Sequence, residues 1–176
     1  MKKFFALAIV VLLSFSSIRC GYSTNLLIAS GVRSIHVEPF KNNVQYTSEF
    51  KRDIYLHLLE VKIRNAVINR FQFDGHLRIV KPDKADLILR GALVGYERNV
   101  LRRTDNDEVE EYRIHILVDL VLWDPEKEKV VWEERNFAGE ATYFLTGPNA
   151  ESESSAVDRS VTDLAHRVVE RSIEDW

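Results

Sequence analysis

Tyr112-Arg113-Ile114-His115-Ile116-Leu117-Val118-Asp119-Leu120-Val121-Leu122 is the stretch whose reading decides the fold. Tyr112, Ile114, Ile116, Val118, Leu120 and Leu122 occupy every second position, and Arg113, His115 and Asp119 fall between them. Successive side chains of a strand point to opposite faces, so this is a strand with one face for a core and one for water or a partner. Asp105-Asn106-Asp107-Glu108 on its upstream side and Asp124-Pro125-Glu126-Lys127 on its downstream side read as turns.

Beyond the first turn, Ala85 to Val94 runs apolar almost without a break, as a strand paired centrally or covered on both sides does. Beyond the second, Val130 to Tyr143 reads as a third strand, bulged where Glu133-Glu134-Arg135-Asn136 breaks the alternation. The three form an antiparallel meander. Two shorter strands precede them, Ser34 to Pro39 and Leu77 to Val80.

Two segments change period. From Ser48 to Phe71, Phe50, Ile54, Leu58, Val61 and Ile68 recur at helical spacing, and Asp74-Gly75 closes a helix expected over 48–71. After Thr146-Gly147-Pro148-Asn149, Val157, Val161, Leu164 and Val168, widened by Ala165, Val169 and Ile173, mark a second amphipathic helix running to Trp176. Elements with one apolar face each pack as layers. The expected fold is α+β: a two-layer sandwich of two long helices on one face of a mostly antiparallel sheet of four to five strands.

The N-terminus reads differently. Lys2-Lys3, an apolar run from Phe4 to Ser17 and then Arg19-Cys20 have the anatomy of a secretory signal, and the run is too short to span a bilayer. Ile18-Arg19-Cys20-Gly21 resembles a lipobox, although Ser17 and Arg19 depart from its usual residues. Cys20 is the sole cysteine, so it has no intramolecular partner, and lipidation there would tether the chain without spanning the membrane. The expected organisation is a signal peptide over 1–19, a lipid-anchored lead-in over 20–33 and one domain over 34–176.

Without residues 1–19 the chain carries 21 basic and 27 acidic side chains, a net charge of −6 with histidines neutral. That balance gives no support to whole-surface binding of nucleic acid or anionic lipid. The five histidines, at 36, 57, 76, 115 and 166, lack metal-ligand spacing, and no Gly-x-Ser-x-Gly, P-loop or Gly-x-Gly-x-x-Gly occurs. The chain is expected to be no enzyme and to need no metal or cofactor. Asp105 to Glu108 lacks the glycine and distal glutamate of a calcium loop and reads as a hairpin tip. Tyr22, Tyr96, Tyr112, Tyr143, Trp123 and Trp132 offer an aromatic contact surface as one reading, and most of them read as core or cross-strand partners.

Beside the tip, Arg98, Arg102 and Arg103 fall within six positions. Guanidinium forks suit phosphates. The same residues also read as an ordinary solvated strand end balanced by adjacent acids. Lys127 and Lys129 join such a patch only if the two hairpin ends meet in space.

Cys20-Gly21-Tyr22, the strand Ile35-His36-Val37-Glu38-Pro39-Phe40-Lys41-Asn42, the helix-ending Asp74-Gly75, Ala85-Asp86-Leu87-Ile88-Leu89-Arg90-Gly91 and the closing helix from Leu164-Ala165 to Trp176 together resemble the lipopolysaccharide-assembly lipoprotein family, LptE. The order of the set carries the resemblance, since each motif alone is short. It implies the same two-layer sandwich. It also implies a non-catalytic lipoprotein, anchored at the periplasmic face of the outer membrane, that plugs and supports assembly of the β-barrel LptD and binds lipopolysaccharide. Arg98, Arg102, Arg103, Lys127 and Lys129 are the candidate contacts, chosen by local clustering. The alternative is a free-standing envelope lipoprotein that uses the sandwich as a protein-binding module, as a peptidoglycan-enzyme activator or a transporter accessory.

Overall fold

The computed structural model describes residues 31–44 and 57–173. Cys20, Tyr22, the expected signal segment and the first part of the expected first helix lie outside them. The elements in chain order are β1 (Ser34–Val37), β2 (Lys41–Asn42), α1 (Leu59–Asp74), β3 (Arg78–Ile79), a short 3-10 turn (Pro82–Lys84), β4 (Leu87–Arg103), β5 (Val109–Asp124), β6 (Lys129–Phe144) and α2 (Glu153–Ile173).

β5 is the strand quoted at the outset. Ile114, Ile116, Val118, Leu120 and Leu122 have no exposed surface, while the alternate positions stay half-buried on the opposite face. Burying an aliphatic side chain of this kind contributes about 1.5–3 kcal/mol. β4 and β6 flank β5 in antiparallel register from Arg103↔Val109 to Asp124↔Lys129. The expected bulge in β6 is present: pairing jumps from Val118↔Phe137 to Leu120↔Glu134, and Asn136 takes φ 51°.

The sheet is larger and less uniform than expected. It has six strands in the order β3-β1-β4-β5-β6, with β2 also on β4, and the β3/β1, β1/β4 and β2/β4 pairings are all parallel. The sheet is therefore mixed, which corrects the expectation of a mostly antiparallel sheet of four to five strands. The cause is a crossover: α1 and β3 stand between β1 and β4 in the chain, and a parallel neighbour can be reached only by such a connection. β2 and β3 have two residues each, too few to show any alternation.

The first helix also departs from expectation. In the described chain it begins at Leu59, after Leu58 at φ 55°, and ends at Asp74, where Gly75 at φ 79° donates its N–H to the Phe71 carbonyl. Its buried stripe is Leu59, Ile63, Val67 and Phe71, four residues apart. Of the expected stripe, Leu58 and Val61 are exposed, Ile68 packs at the core margin, and Phe50 and Ile54 lie outside the described residues. The second helix keeps its expected stripe, with Val157, Val161, Leu164, Ala165, Val168 and Val169 buried.

Both helices run antiparallel to β4. α1 descends from the level of Asn42, bonded to Glu60, toward β3, and α2 descends from Tyr143, bonded to Glu153, to Glu134, bonded to Arg171. The helices are thus parallel to each other, and their buried faces join β1, β4 and β5 in one hydrophobic core. Arg64 ties α1 to the sheet by donating to the Val37 carbonyl at 2.9 Å. Of the aromatic residues, Tyr96, Tyr143 and Trp132 are core members, Tyr112 stacks on Tyr143 across the strands, and Trp123 lies under Arg90 on the outer face. No helix of the described residues is long and apolar enough to cross a membrane.

Candidate functional site

The helix layer stops at Glu153, level with Tyr96 on β4 and Tyr143 on β6. β4 continues to Arg103 and β5 returns from Val109. At about 3.3 Å per residue, the hairpin projects roughly 20 Å past the helix layer. Its turn closes through Thr104, which donates to the Glu108 carbonyl at 2.8 Å and accepts from Asp107 at 3.0 Å. Asp105 to Glu108 is thus a hairpin turn.

The three arginines share this projection but not one face. Arg98 is in register with buried Ile114, so it points to the helix side and donates to Glu153 at 2.6 Å with its guanidinium 5.1 Å from the Tyr112 ring. Arg102 is in register with Glu111, its Nε 3.7 Å from that carboxylate and its guanidinium 5.6 Å from the Phe144 ring. Arg103 folds over the turn, donating to the Asp107 carbonyl at 2.8 Å. Cations therefore stand on one face, on the other and at the tip.

Lys127 and Lys129 lie elsewhere. Lys127 sits in the turn between β5 and β6, where it pairs with Asp124 at 2.9 Å, and Lys129 opens β6. The sixteen residues of β5 separate that turn from Arg102 and Arg103 by roughly 50 Å, and Arg98, level with Ile114, lies roughly 35 Å from it. The two hairpin ends do not meet, so the five basic residues form no single patch.

Glu153 organises the near end. It accepts from Tyr96 at 2.6 Å, Tyr143 at 3.1 Å and Arg98 at 2.6 Å, with a side chain only 14% exposed. Burial alone would raise its pKa, but the bonds from Tyr96 and Arg98 outweigh burial and hold it below the ordinary carboxylate value. Tyr143 is pushed up, first by burial and then by the adjacent Glu153 charge. For Arg98, burial opposes the charge, and the Glu153 contacts more than offset it, so the guanidinium stays charged.

Sequence reasoning missed this network because Arg98 and Glu153 are 55 positions apart. It also missed the apolar residues among the cations. Val100, Leu101 and Leu145 are each more than two-fifths exposed, and the consecutive Val100-Leu101 pair, where alternation stops, was the available signal. The projection therefore offers guanidinium groups interleaved with aliphatic surface, a combination suited to an anionic amphiphile. Among the described residues no His, Cys, Asp and Glu group is arranged to hold a metal.

No curated protein is significantly similar to this chain in sequence. Among solved structures, a hypothetical protein from Chlamydia trachomatis superposes with a TM-score of 0.55 at 12% identity, covering 80% of this chain and 95% of that one. A minor lipoprotein from Acinetobacter baumannii gives 0.50 at 16% identity, with 81% and 90% covered. A protein from Xanthomonas campestris gives 0.50 at 12% identity, with 80% and 84% covered. At such identities these likenesses concern the fold alone. The sequence model of one family, LptE, lipopolysaccharide-assembly, matches residues 32–172, from just before β1 almost to the end of α2. The chain belongs to the LptE family, lipopolysaccharide-assembly.

Proposed function

We propose that this chain is a lipoprotein acylated at Cys20 and held at the periplasmic face of the outer membrane, where it plugs an LptD-like β-barrel, supports the barrel's assembly and binds lipopolysaccharide without catalysis. Membership of the lipopolysaccharide-assembly family supports the pathway. The projecting hairpin supports the ligand contact, because Arg102 and Arg103 beside exposed Val100 and Leu101 match phosphate groups attached to acyl chains. Arg103 meets Asp107 in an exposed pair of the kind that contributes about 0–1 kcal/mol, so a phosphate can replace that partner at low cost, while Arg102 keeps its tie to the buried Glu111 carboxylate and leaves a half-exposed guanidinium open to a phosphate. Arg98 is committed to Glu153 and would serve by shaping the hairpin as well as by contact. Lys127 and Lys129 would touch the ligand only at a second, distant point.

Two experiments test the reading. In the Arg102→Gln/Arg103→Gln double variant, lipopolysaccharide binding should fall about a hundredfold, at about 1.4 kcal/mol per tenfold step, in a chain whose circular dichroism shows that it is still folded. Unchanged binding would remove the hairpin from the proposal. The detergent-solubilised chain should also co-purify with a large β-barrel. If it never does, the plug role fails and the free-standing protein-binding module takes its place.

A further inference from the structure

Many cations of this chain face a carboxylate. Lys62 meets Asp158, Arg90 meets Glu38, Arg135 meets Glu133 and Arg171 meets Glu134. One corner differs. Arg33, Arg78, Lys81 and Lys84 are all exposed, and among the described residues none of their side chains lies in an ion pair or a hydrogen bond. Backbone bonds hold the four together. The Arg78 N–H donates to the Arg33 carbonyl at 3.0 Å, the Lys84 N–H to the Lys81 carbonyl at 3.0 Å, and the Ser34 hydroxyl to the Lys84 carbonyl at 3.3 Å. β1, β3 and the 3-10 turn thus meet at one end of the sheet, where Ile35 pairs with both Ile79 and Leu87.

The carboxylates of this corner are fewer, and two of them are engaged. Asp86 accepts the Arg33 and Ser34 N–H groups and the Ser34 hydroxyl on one oxygen, with the Arg78 charge nearby, and Asp74 accepts the His76 N–H at 3.3 Å. Asp83 is left exposed between Lys81 and Lys84. Four cations therefore face outward against one uncommitted carboxylate, in a chain with more acidic than basic side chains. The chain reaches this corner directly from Cys20. Residues 21–30 carry no charged side chain, and ten residues extend at most about 35 Å, so these cations are the first that follow the expected anchor. Lys and Arg next to a membrane anchor are drawn to anionic headgroups, and the attraction fades beyond a Debye length, about 10 Å at 0.1 M salt.

We propose that the corner formed by Arg33, Arg78, Lys81 and Lys84 contacts the anionic phospholipid headgroups of the leaflet that holds the acyl chains, and so sets the tilt of the domain on the membrane. The proposal rests on the acylation of Cys20 and is independent of the barrel and of the hairpin. Acyl chains on Cys20 hold the protein at the surface without orienting it, and cations gathered on one corner supply the orientation. A protein partner fits this surface less well. No large apolar side chain is exposed between Arg78 and Lys84, whereas the core of a protein interface is apolar and depleted of charge.

The test uses the full chain purified from membranes and reconstituted into vesicles of phosphatidylcholine alone and of equal parts phosphatidylcholine and phosphatidylglycerol, with lysine acetylation followed residue by residue by mass spectrometry. With phosphatidylglycerol, Lys81 and Lys84 should react about fivefold more slowly than with phosphatidylcholine alone. Lys41, which pairs with Ala92 roughly 15 Å along the sheet, should change less than about twofold. Salt at about 1 M, where the Debye length is about 3 Å, should erase the difference. Arg33→Gln/Arg78→Gln should at least halve it, in a chain whose circular dichroism shows that it is folded. Equal reaction in the two vesicles, or protection that persists at high salt or is unchanged in the double variant, overturns the proposal. Flotation reports the anchor separately. A chain that does not float with phosphatidylcholine vesicles removes the acylation reading and this proposal with it, whereas a floating chain with unprotected lysines removes the proposal alone.

Discussion

Glu153 carries an anion into a place where burial opposes it, and three donors keep it there. Its folded-state pKa is depressed below the ordinary 4.5, so its contribution to stability is complete above that value and is lost as pH falls through the lower folded-state pKa. Urea unfolding followed from pH 6 downward should therefore show stability falling below about pH 4.5. Glu153→Gln removes that titration. The variant should be about 2 kcal/mol less stable at pH 6, because Arg98, Tyr96 and Tyr143 lose a charged acceptor, and its stability should depend less on pH below 4.5. An acid limb equally steep in the variant would assign the pH dependence to other carboxylates. Asp86 is the second such group: the Arg33 and Ser34 N–H groups and the Ser34 hydroxyl bond one of its oxygens, the Arg33 bond foremost, and hold its pKa down. It pins the start of β1 to the start of β4. Neither role was legible in the sequence. The donors that mark these carboxylates as anchors arrive, Tyr143 apart, from more than fifty residues away.

At the scale of elements, α2 both covers the core and closes an edge. β6 borders the sheet, and its outward-facing groups are met from α2: the Ala138 carbonyl by Arg167, the Glu140 N–H by Asp163 and the Thr142 carbonyl by Arg159. These donors and acceptor are spaced four apart along one helix face, and an edge occupied in this way is a poor template for another chain. The arrangement requires close approach at Gly139, where an added Cβ would lie 2.4 Å from the Leu164 Cβ and 2.5 Å from the Ser160 carbonyl. Gly139→Ala must push a helix backbone outward. It should cost about 1–3 kcal/mol by thermal or urea unfolding, and an unchanged midpoint would mean that α2 can slide without loss. Elements of this kind were legible to different degrees, for physical reasons. β5 and α2 each have one face in the core and one outside it, so periodicity reported them directly. α1 has a stripe only one residue wide, at Leu59, Ile63, Val67 and Phe71, and the exposed apolar residues Leu58, Val61 and Phe73 beside it blurred the face. The parallel pairing of β1 with β4 has no local signature, because it depends on a crossover and not on a turn.

At the scale of the molecule, the long meander separates two ends with different roles. The arginines and the exposed Val100 and Leu101 mark one end. Ser34, where β1 begins, lies at the other, since Ile35 pairs with Leu87 and Ile88 with Trp123, next to the turn holding Lys127 and to Lys129 at the start of β6. Those ends are roughly 50 Å apart. Under the proposed acylation of Cys20, the chain from 21 to 33 leads from the membrane into the lysine end, and the hairpin points away from the bilayer. That orientation can be measured. A fluorophore at Arg103→Cys or Lys129→Cys, introduced after acylation has consumed Cys20, is read in vesicles containing a lipid-bound collisional quencher. The label at 129 should be quenched and the label at 103 should not, because a span of that size exceeds contact quenching severalfold. Stronger quenching at 103 would bring the hairpin to the membrane surface and reverse the arrangement, so that Arg102 and Arg103 would meet lipid phosphates in the anchoring leaflet before any ligand arriving from the periplasm.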